Sequence, residues 1–318
     1  MHIIIILYST GASTLLSNLS DAILQDYNDN VRPYCETNDT TTLTLDVALR
    51  QILDLDEPNQ LIKLSLWIRM SWSDCRLTWN PSDYDGLESF VSKADRIWIP
   101  DLALYDSMEQ EIAQIEGSNA KISSDGKVQF NFPATTEIRC KVDVKLFPFD
   151  RQACPLKFGM WIHHIGEVDI IGKKAIGDLS NADQNVEWRY LDFPSERHEV
   201  KYSCCEEVYP DVTFYLKVKR KATFYVLHII LPYIVTSAIA LFSYALPAES
   251  GEKVSVGVTI LLALTVFLLL LGDTLPPYSD SVPLIGEFLF STIVNSSSPD
   301  FCYSSQIDTI CSLTISNY

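Results

Sequence analysis

The sequence predicts an extracellular all-β domain, a β-sandwich led by an N-terminal helix, followed by an α-helical transmembrane domain. Three observations carry this. One apolar stripe near the N-terminus recurs at helical spacing. Many short strand-like runs follow it, and after them come long apolar stretches almost without charge.

The chain opens on MHIIIIL and then small residues, and residues 1–14 read as a secretory signal, although no Lys or Arg precedes the apolar run. Leu15, Leu16, Leu19, Ile23 and Leu24 then mark a helix that ends before Arg32-Pro33. Runs at 41–49, 60–72, 127–132 and 212–218 are rich in Thr, Val, Ile, Leu and Trp, and Asn, Asp, Gly and Pro divide them. Ser124-Asp125-Gly126 reads as a hairpin turn between two such runs. Short strands spread over roughly 190 residues suggest a sandwich, assigned here to 15–219. The boundary falls at Lys219-Arg220-Lys221.

Beyond it, 220–294 holds a partial membrane domain. Residues 222–246 and 253–272 are each about long enough for the ~20 residues that cross a bilayer core. A third apolar stretch, 283–294, is too short to cross and stops at Asn295, so the membrane part reads as incomplete. Residues 295–318 form an atypical tail.

A formal charge of −17 argues against a nucleic-acid partner, since phosphates call for a basic surface. An acidic outer face instead concentrates cations. Eight cysteines suit an exported chain. Sequons at Asn18 and Asn38 are candidate glycan acceptors; a third, at Asn295, need not face the lumen.

Cys140 and Cys154 bracket thirteen residues, KVDVKLFPFDRQA. Spacing alone fits an ordinary stabilising disulfide, worth about 3 kcal/mol. Inside the loop, Phe147-Pro148-Phe149-Asp150 offers two exposed aromatics and one charge, suited to pressing on another surface. The adjacent Cys204 and Cys205 either bond to each other, making a stiff knob at a loop tip, or take separate partners. Cys35 and Cys75 pair or stay free; both readings stand.

The span from Cys140 through Phe147-Pro148-Phe149-Asp150 to Cys154 resembles the signature of the Cys-loop pentameric ligand-gated ion channels. Tyr202-Ser203-Cys204-Cys205 through Tyr209-Pro210-Asp211 resembles the ligand-capping loop of nicotinic acetylcholine receptor α-type subunits, in the shorter form of homopentameric neuronal types. The resemblance covers 15–294 and implies disulfides Cys140–Cys154 and Cys204–Cys205. It also implies an acetylcholine-gated cation channel in the plasma membrane, postsynaptic or neuronal, with the N-terminal domain outside. Its expected partners are a quaternary ammonium agonist, the same or related subunits in a pentamer, and membrane lipid. No enzyme activity, cofactor or metal site is expected; His163-His164 lack a spaced third ligand.

A quaternary ammonium offers no hydrogen-bond donor, so electron-rich ring faces hold it best. By resemblance, Tyr105 after Trp98-Ile99-Pro100-Asp101, Trp161 after Gly159-Met160, and Tyr202 and Tyr209 around the cysteines supply the principal face. Trp67, with Gln129 and Asn131, supplies the complementary face offered by a neighbour. Any single aromatic is by default a core residue, and Trp72, Trp79, Trp98 and Trp188 are so read. Ile162-His163-His164-Ile165 and Asp106-Ser107 depart from the family pattern. Both faces in one chain suggest a homopentamer.

On the second apolar helix, steps of three and four trace Glu252, Ser255, Thr259, Leu262, Val266, Leu269 and Asp273. Copies around an axis would stack carboxylate, hydroxyl and apolar rings, the make-up of a cation pore. For a lone helix of this kind a lipid-facing anchor is the better reading, and it is the resemblance that favours the pore. It also implies coupling through Glu57 paired with Arg220, and through Phe147, Pro148 and Phe149 against the linker after the pore helix. A positive-inside count over Lys217–Lys221 would place that junction in the cytoplasm; the export signal and disulfide loops override it. The competing reading is a truncated, non-conducting subunit that binds ligand or poisons assembly.

Overall fold

The computed structural model describes residues 14–35, 40–108, 117–243, 252–275 and 283–296. The expected signal segment up to residue 13, the Asn38 sequon, the 276–282 linker and the tail from 297 lie outside the described residues.

Helix α1 (residues 14–24) buries Leu19 and Leu24 from its predicted apolar stripe. Asn18 faces solvent. The segment after α1 is pinned to the sandwich at several points. Cys35 is bonded to Cys75, which decides the pairing that the sequence left open. The Tyr27 hydroxyl donates to Asp74 at 2.7 Å and accepts from the Trp98 N–H at 3.1 Å.

Among the described residues eleven strands follow: β1 (Thr41–Asp56), β2 (Leu61–Thr78), β3 (Ser89–Lys93), β4 (Leu102–Leu104), β5 (Asn119–Ser123), β6 (Asp125–Arg139), β7 (Arg151–Met160), β8 (Val168–Gly172), β9 (Trp188–Asp192), β10 (Ser195–Lys201) and β11 (Val208–Arg220). One sheet runs β3-β5-β6-β2-β1-β8. The other runs β10-β11-β7-β4, with β9 pairing β11. The predicted hairpin joins β5 to β6. Its Gly126 has φ +81°, and a Cβ there would collide with the Asp74 carbonyl, so no larger residue fits. Inward alternation on both sheets builds one core that includes Phe130, Phe158, Phe193 and Phe214. Cys140 directly follows β6 and Cys154 lies in β7, so their disulfide joins the two sheets.

β1 outruns its predicted end at residue 49. Arg50-Gln51 interrupts the apolar alternation, but the register merely slips there and Ile52 and Leu55 point inward again.

After β11 the chain turns directly into helix: α2 (Thr223–Tyr225), a π turn (Val226–Ile230) and α3 (Leu231–Ser243). The π turn lies just before Pro232, which has no N–H to give the carbonyl four residues back. Then come α4 (Glu252–Thr274) and α5 (Leu284–Ser296). Thr223–Phe242 and Ser255–Thr274 are long and apolar enough to cross a membrane. Ala240, Ile260 and Leu264 pack α3 on α4, with Ile293 of α5 alongside.

Arg220, the last residue of β11, is fully buried at the junction of sandwich and helices. It pairs with Asp150 (Nε–Oδ1 2.9 Å), Glu57 (2.7 Å) and Glu187 (2.6 Å). Its guanidinium lies 4.2 Å from the Trp188 ring and 5.1 Å from the Phe147 ring. The Glu57–Arg220 pair was expected from resemblance; Asp150 and Glu187 were not. Burial lifts the Glu57 carboxyl above its ordinary range, with Arg220 pulling the other way.

One expectation is corrected here. Phe147 is not exposed: only 5% of it is accessible, because it packs edge-on against Tyr225 at 4.9 Å. Phe149, 59% exposed, is the free aromatic of the pair. The loop also reaches α5, where the Leu284 N–H donates to the Lys145 carbonyl at 3.1 Å.

Replacing Arg220 with Met would strand the Asp150 carboxylate in a dry site. We expect a loss of about 3–5 kcal/mol, read as a lowered thermal midpoint of the purified chain. Unchanged stability would show that the cluster is not needed for folding.

Candidate functional site

The ends of β4 and β7 lie side by side, Leu102 opposite Met160, so the residues that follow each strand emerge together. Tyr105 follows β4 and Trp161 follows β7; their rings stand 6.4 Å apart. The Tyr105 hydroxyl donates to the Met160 carbonyl at 2.8 Å. The ring lies over Gly159, where any Cβ would strike it. Burial, with Tyr202 and Asp211 nearby, raises the Tyr105 hydroxyl above the ordinary phenol range.

The β10–β11 connection carries Tyr202, the bonded pair Cys204–Cys205 and, just inside β11, Tyr209. Tyr202 and Tyr209 stand 6.0 Å apart. These four rings and the vicinal cysteines line one open cavity of about 480 Å³, together with Asp106, Lys157 and Met160.

Trp161 is 71% exposed, so main-chain bonds must hold its position. Asp101 supplies them. Its carbonyl accepts from the Trp161 N–H at 3.2 Å. Its carboxylate accepts from the Ile162 N–H at 2.5 Å and meets His163 Nδ1 at 2.6 Å. His163 thus engages the carboxylate that clamps the segment, a use its departure from the family pattern did not announce.

Lys157 on β7 lies beneath the cavity, 3.2 Å from the buried Asp211 carboxylate. Its Nζ is 5.6 Å from the Tyr105 ring and 6.0 Å from Tyr202. Burial works to lower the Lys157 ammonium, but Asp211 and Tyr202 together more than offset this and the net shift is upward. Asp211 also accepts from Thr213 and touches His198, both at 3.1 Å. Sequence reasoning missed Lys157 and Asp211. A Lys and an Asp 54 positions apart announce no pairing until β7 and β11 are known to be neighbours.

Trp67, Gln129 and Asn131 lie on the other sheet. Cross-strand pairs Trp67–Pro133, Arg69–Asn131 and Ser71–Gln129 put them on one outward face of β2 and β6. Trp67 is 38% exposed. Gln129 and Asn131 line a separate polar cavity with Asp46, Arg69 and Lys127. None of the three lines the four-ring cavity. Within one chain, therefore, the two predicted half-sites do not meet.

On α4, Ser255, Thr259, Leu262, Val266, Leu269 and Asp273 are all exposed, whereas Ile260, Leu264 and Leu271 are buried. The predicted pore face thus points away from α3 and α5. The side chain of Glu252 lies outside the described residues. Among the described residues no cluster of three metal-ligating side chains occurs.

Residues 16–222 match the family model described as the neurotransmitter-gated ion-channel ligand binding domain, and 229–297 match the corresponding transmembrane region. The chain is 43% identical over 275 residues to the neuronal acetylcholine receptor subunit alpha-9 of Gallus gallus, covering 86% of itself and 57% of that protein. It is 43% identical over 271 residues to the human subunit alpha-10, covering 85% and 60%. Against the Bos taurus subunit alpha-3 it is 35% identical over 292 residues, covering 92% and 59%. It therefore spans somewhat under two thirds of the length of these relatives. With two successive segments matched and a sandwich-plus-helices architecture to go with them, the chain belongs to the neurotransmitter-gated ion-channel family.

Proposed function

We propose that this chain is a subunit of an acetylcholine-gated, cation-selective channel of the plasma membrane. The observation that carries the reading is the open cavity walled by Tyr105, Trp161, Tyr202 and Tyr209. A cation without donors gains about 0.5–2 kcal/mol from each well-placed ring face, more as it is desolvated. Lys157, the cation beside this cavity, is paired with Asp211, so the rings can favour a positive ligand. That the relatives are named acetylcholine receptor subunits supports the same ligand class.

Because the half-sites lie on different sheets, a complete site forms between subunits: one gives the four rings, the next gives Trp67, Gln129 and Asn131. Capping by Cys204–Cys205 would pull β10 and β11. β11 ends at Arg220, so movement of that strand reaches the Asp150–Glu57–Glu187 cluster and the first membrane helix directly. Ser255, Thr259, Leu262, Val266, Leu269 and Asp273, with Glu252 at the helix start, would line the pore. Hydroxyls there replace hydration water, leucines close by dewetting, and carboxylates select cations.

Trp161→Ala should weaken acetylcholine binding by about 2 kcal/mol, some thirtyfold, in an equilibrium assay; unchanged affinity would overturn the cage. Mild reduction of Cys204–Cys205 should impair binding at reductant levels that leave the tryptophan emission native. Simultaneous loss of both signals would argue against a dedicated capping loop. In a conducting assembly under voltage clamp, Glu252→Ala should shift the reversal potential in a sodium gradient, and no shift would refute its ring.

A further inference from the structure

The β1–β2 register slips twice, between Leu49 and Gln51 and again between Ile52 and Asp54. Leu49 faces Leu66 and Gln51 faces Ser65, which leaves Arg50 as the extra residue of a β-bulge. A bulged residue is unpaired in the ladder, and its side chain is re-aimed. The Arg50 carbonyl accepts from the Asp183 N–H at 2.7 Å, which fixes the bulge. The guanidinium lies 4.5 Å from the centroid of the Trp67 ring. Its nearest carboxylate, Asp183, stands 3.8 Å away and is 60% exposed, so water screens that pair. Arg69, two residues after Trp67, is by contrast bonded to both Asp46 (3.0 Å) and Asp178 (3.1 Å). Arg50 thus brings a poorly neutralised cation to the ring that the complementary half-site needs.

A ring face that already holds a guanidinium must release it before accepting another cation. Short of that, the two charges repel across the same few ångströms. In a partly hydrated interface either route costs about tenfold in affinity.

We infer that Arg50 makes this chain's complementary face a poor one for a cationic ligand. Tight sites then form where the Tyr105–Trp161–Tyr202–Tyr209 face meets a different subunit, one whose corresponding tryptophan carries no capping cation. This rests on the cage reading above, and it replaces the expected homopentamer with a heteromer in which the chain serves as the principal partner.

The test is equilibrium binding of acetylcholine to the full chain expressed alone at the cell surface, with surface amount measured in parallel. Arg50→Gln should tighten binding about tenfold over the unaltered chain. Arg50→Lys, which keeps a cation at the ring, should not. Adding Trp67→Ala to Arg50→Gln should cancel the gain. No tightening by Arg50→Gln, no detectable binding by either form, or equal tightening by Arg50→Lys would each overturn the inference. Trp161→Ala in the Arg50→Gln background separates the two claims. Binding that survives it means the cage itself has failed. Binding that disappears, with no Arg50 effect, means the cage stands and only the role of Arg50 falls.

Discussion

A guanidinium fully withdrawn from water must be enclosed by carboxylates or the fold cannot keep it. Arg220 meets this requirement with Asp150 from the disulfide loop, Glu57 from the β1–β2 turn and Glu187 from the approach to β9. Removing the guanidinium would leave the buried Asp150 carboxylate without its counter-ion at low dielectric, which costs several kcal/mol. Three distant segments are therefore obliged to converge on the strand that becomes the first membrane helix. The Cys140–Cys154 bond joins the sheets just above this point, and Phe147 seals it against Tyr225. The junction is an ionic knot inside an aromatic sleeve.

The same strand, β11, carries the site at its other end. Tyr209 and Asp211 lie near its start, Arg220 at its finish, and β7 runs beside it along most of that length. At the upper end the chemistry is of another kind. Trp161 is exposed and the three tyrosines are half-buried, and hydrogen bonds to the main chain position two of the rings: Asp101 clamps Trp161, and the Met160 carbonyl fixes Tyr105. An exposed platform on a rigid support leaves room for a ligand without first displacing packed side chains.

Much of this was legible beforehand, for identifiable reasons. The α1 stripe, the hairpin at Gly126 and the uncharged helices are local patterns, and local patterns survive in sequence. The four rings of the cavity were named through motif resemblance, since nothing about Tyr105 or Trp161 in isolation separates them from core aromatics. What escaped was long-range polar pairing. Lys157 with Asp211, Tyr27 with Asp74 and Arg220 with Glu187 depend on which strands become neighbours, and no spacing rule encodes that. Phe147 was misread because a charged, Pro-containing loop suggests exposure, whereas the half-buried Tyr225 ring that receives it comes from the helical part of the chain. The bulge at Arg50 was hidden too: one residue out of step reads as the end of a strand.

The account turns on a cation held by ring electrons at Trp161, and a graded change in those electrons tests it most directly. Tryptophan carrying one, two or three ring fluorines can be placed at position 161, with tetramethylammonium affinity measured for each. Fluorine draws charge from the ring face while changing its shape little. The account predicts a stepwise fall in affinity with each added fluorine; an affinity indifferent to fluorination would contradict it.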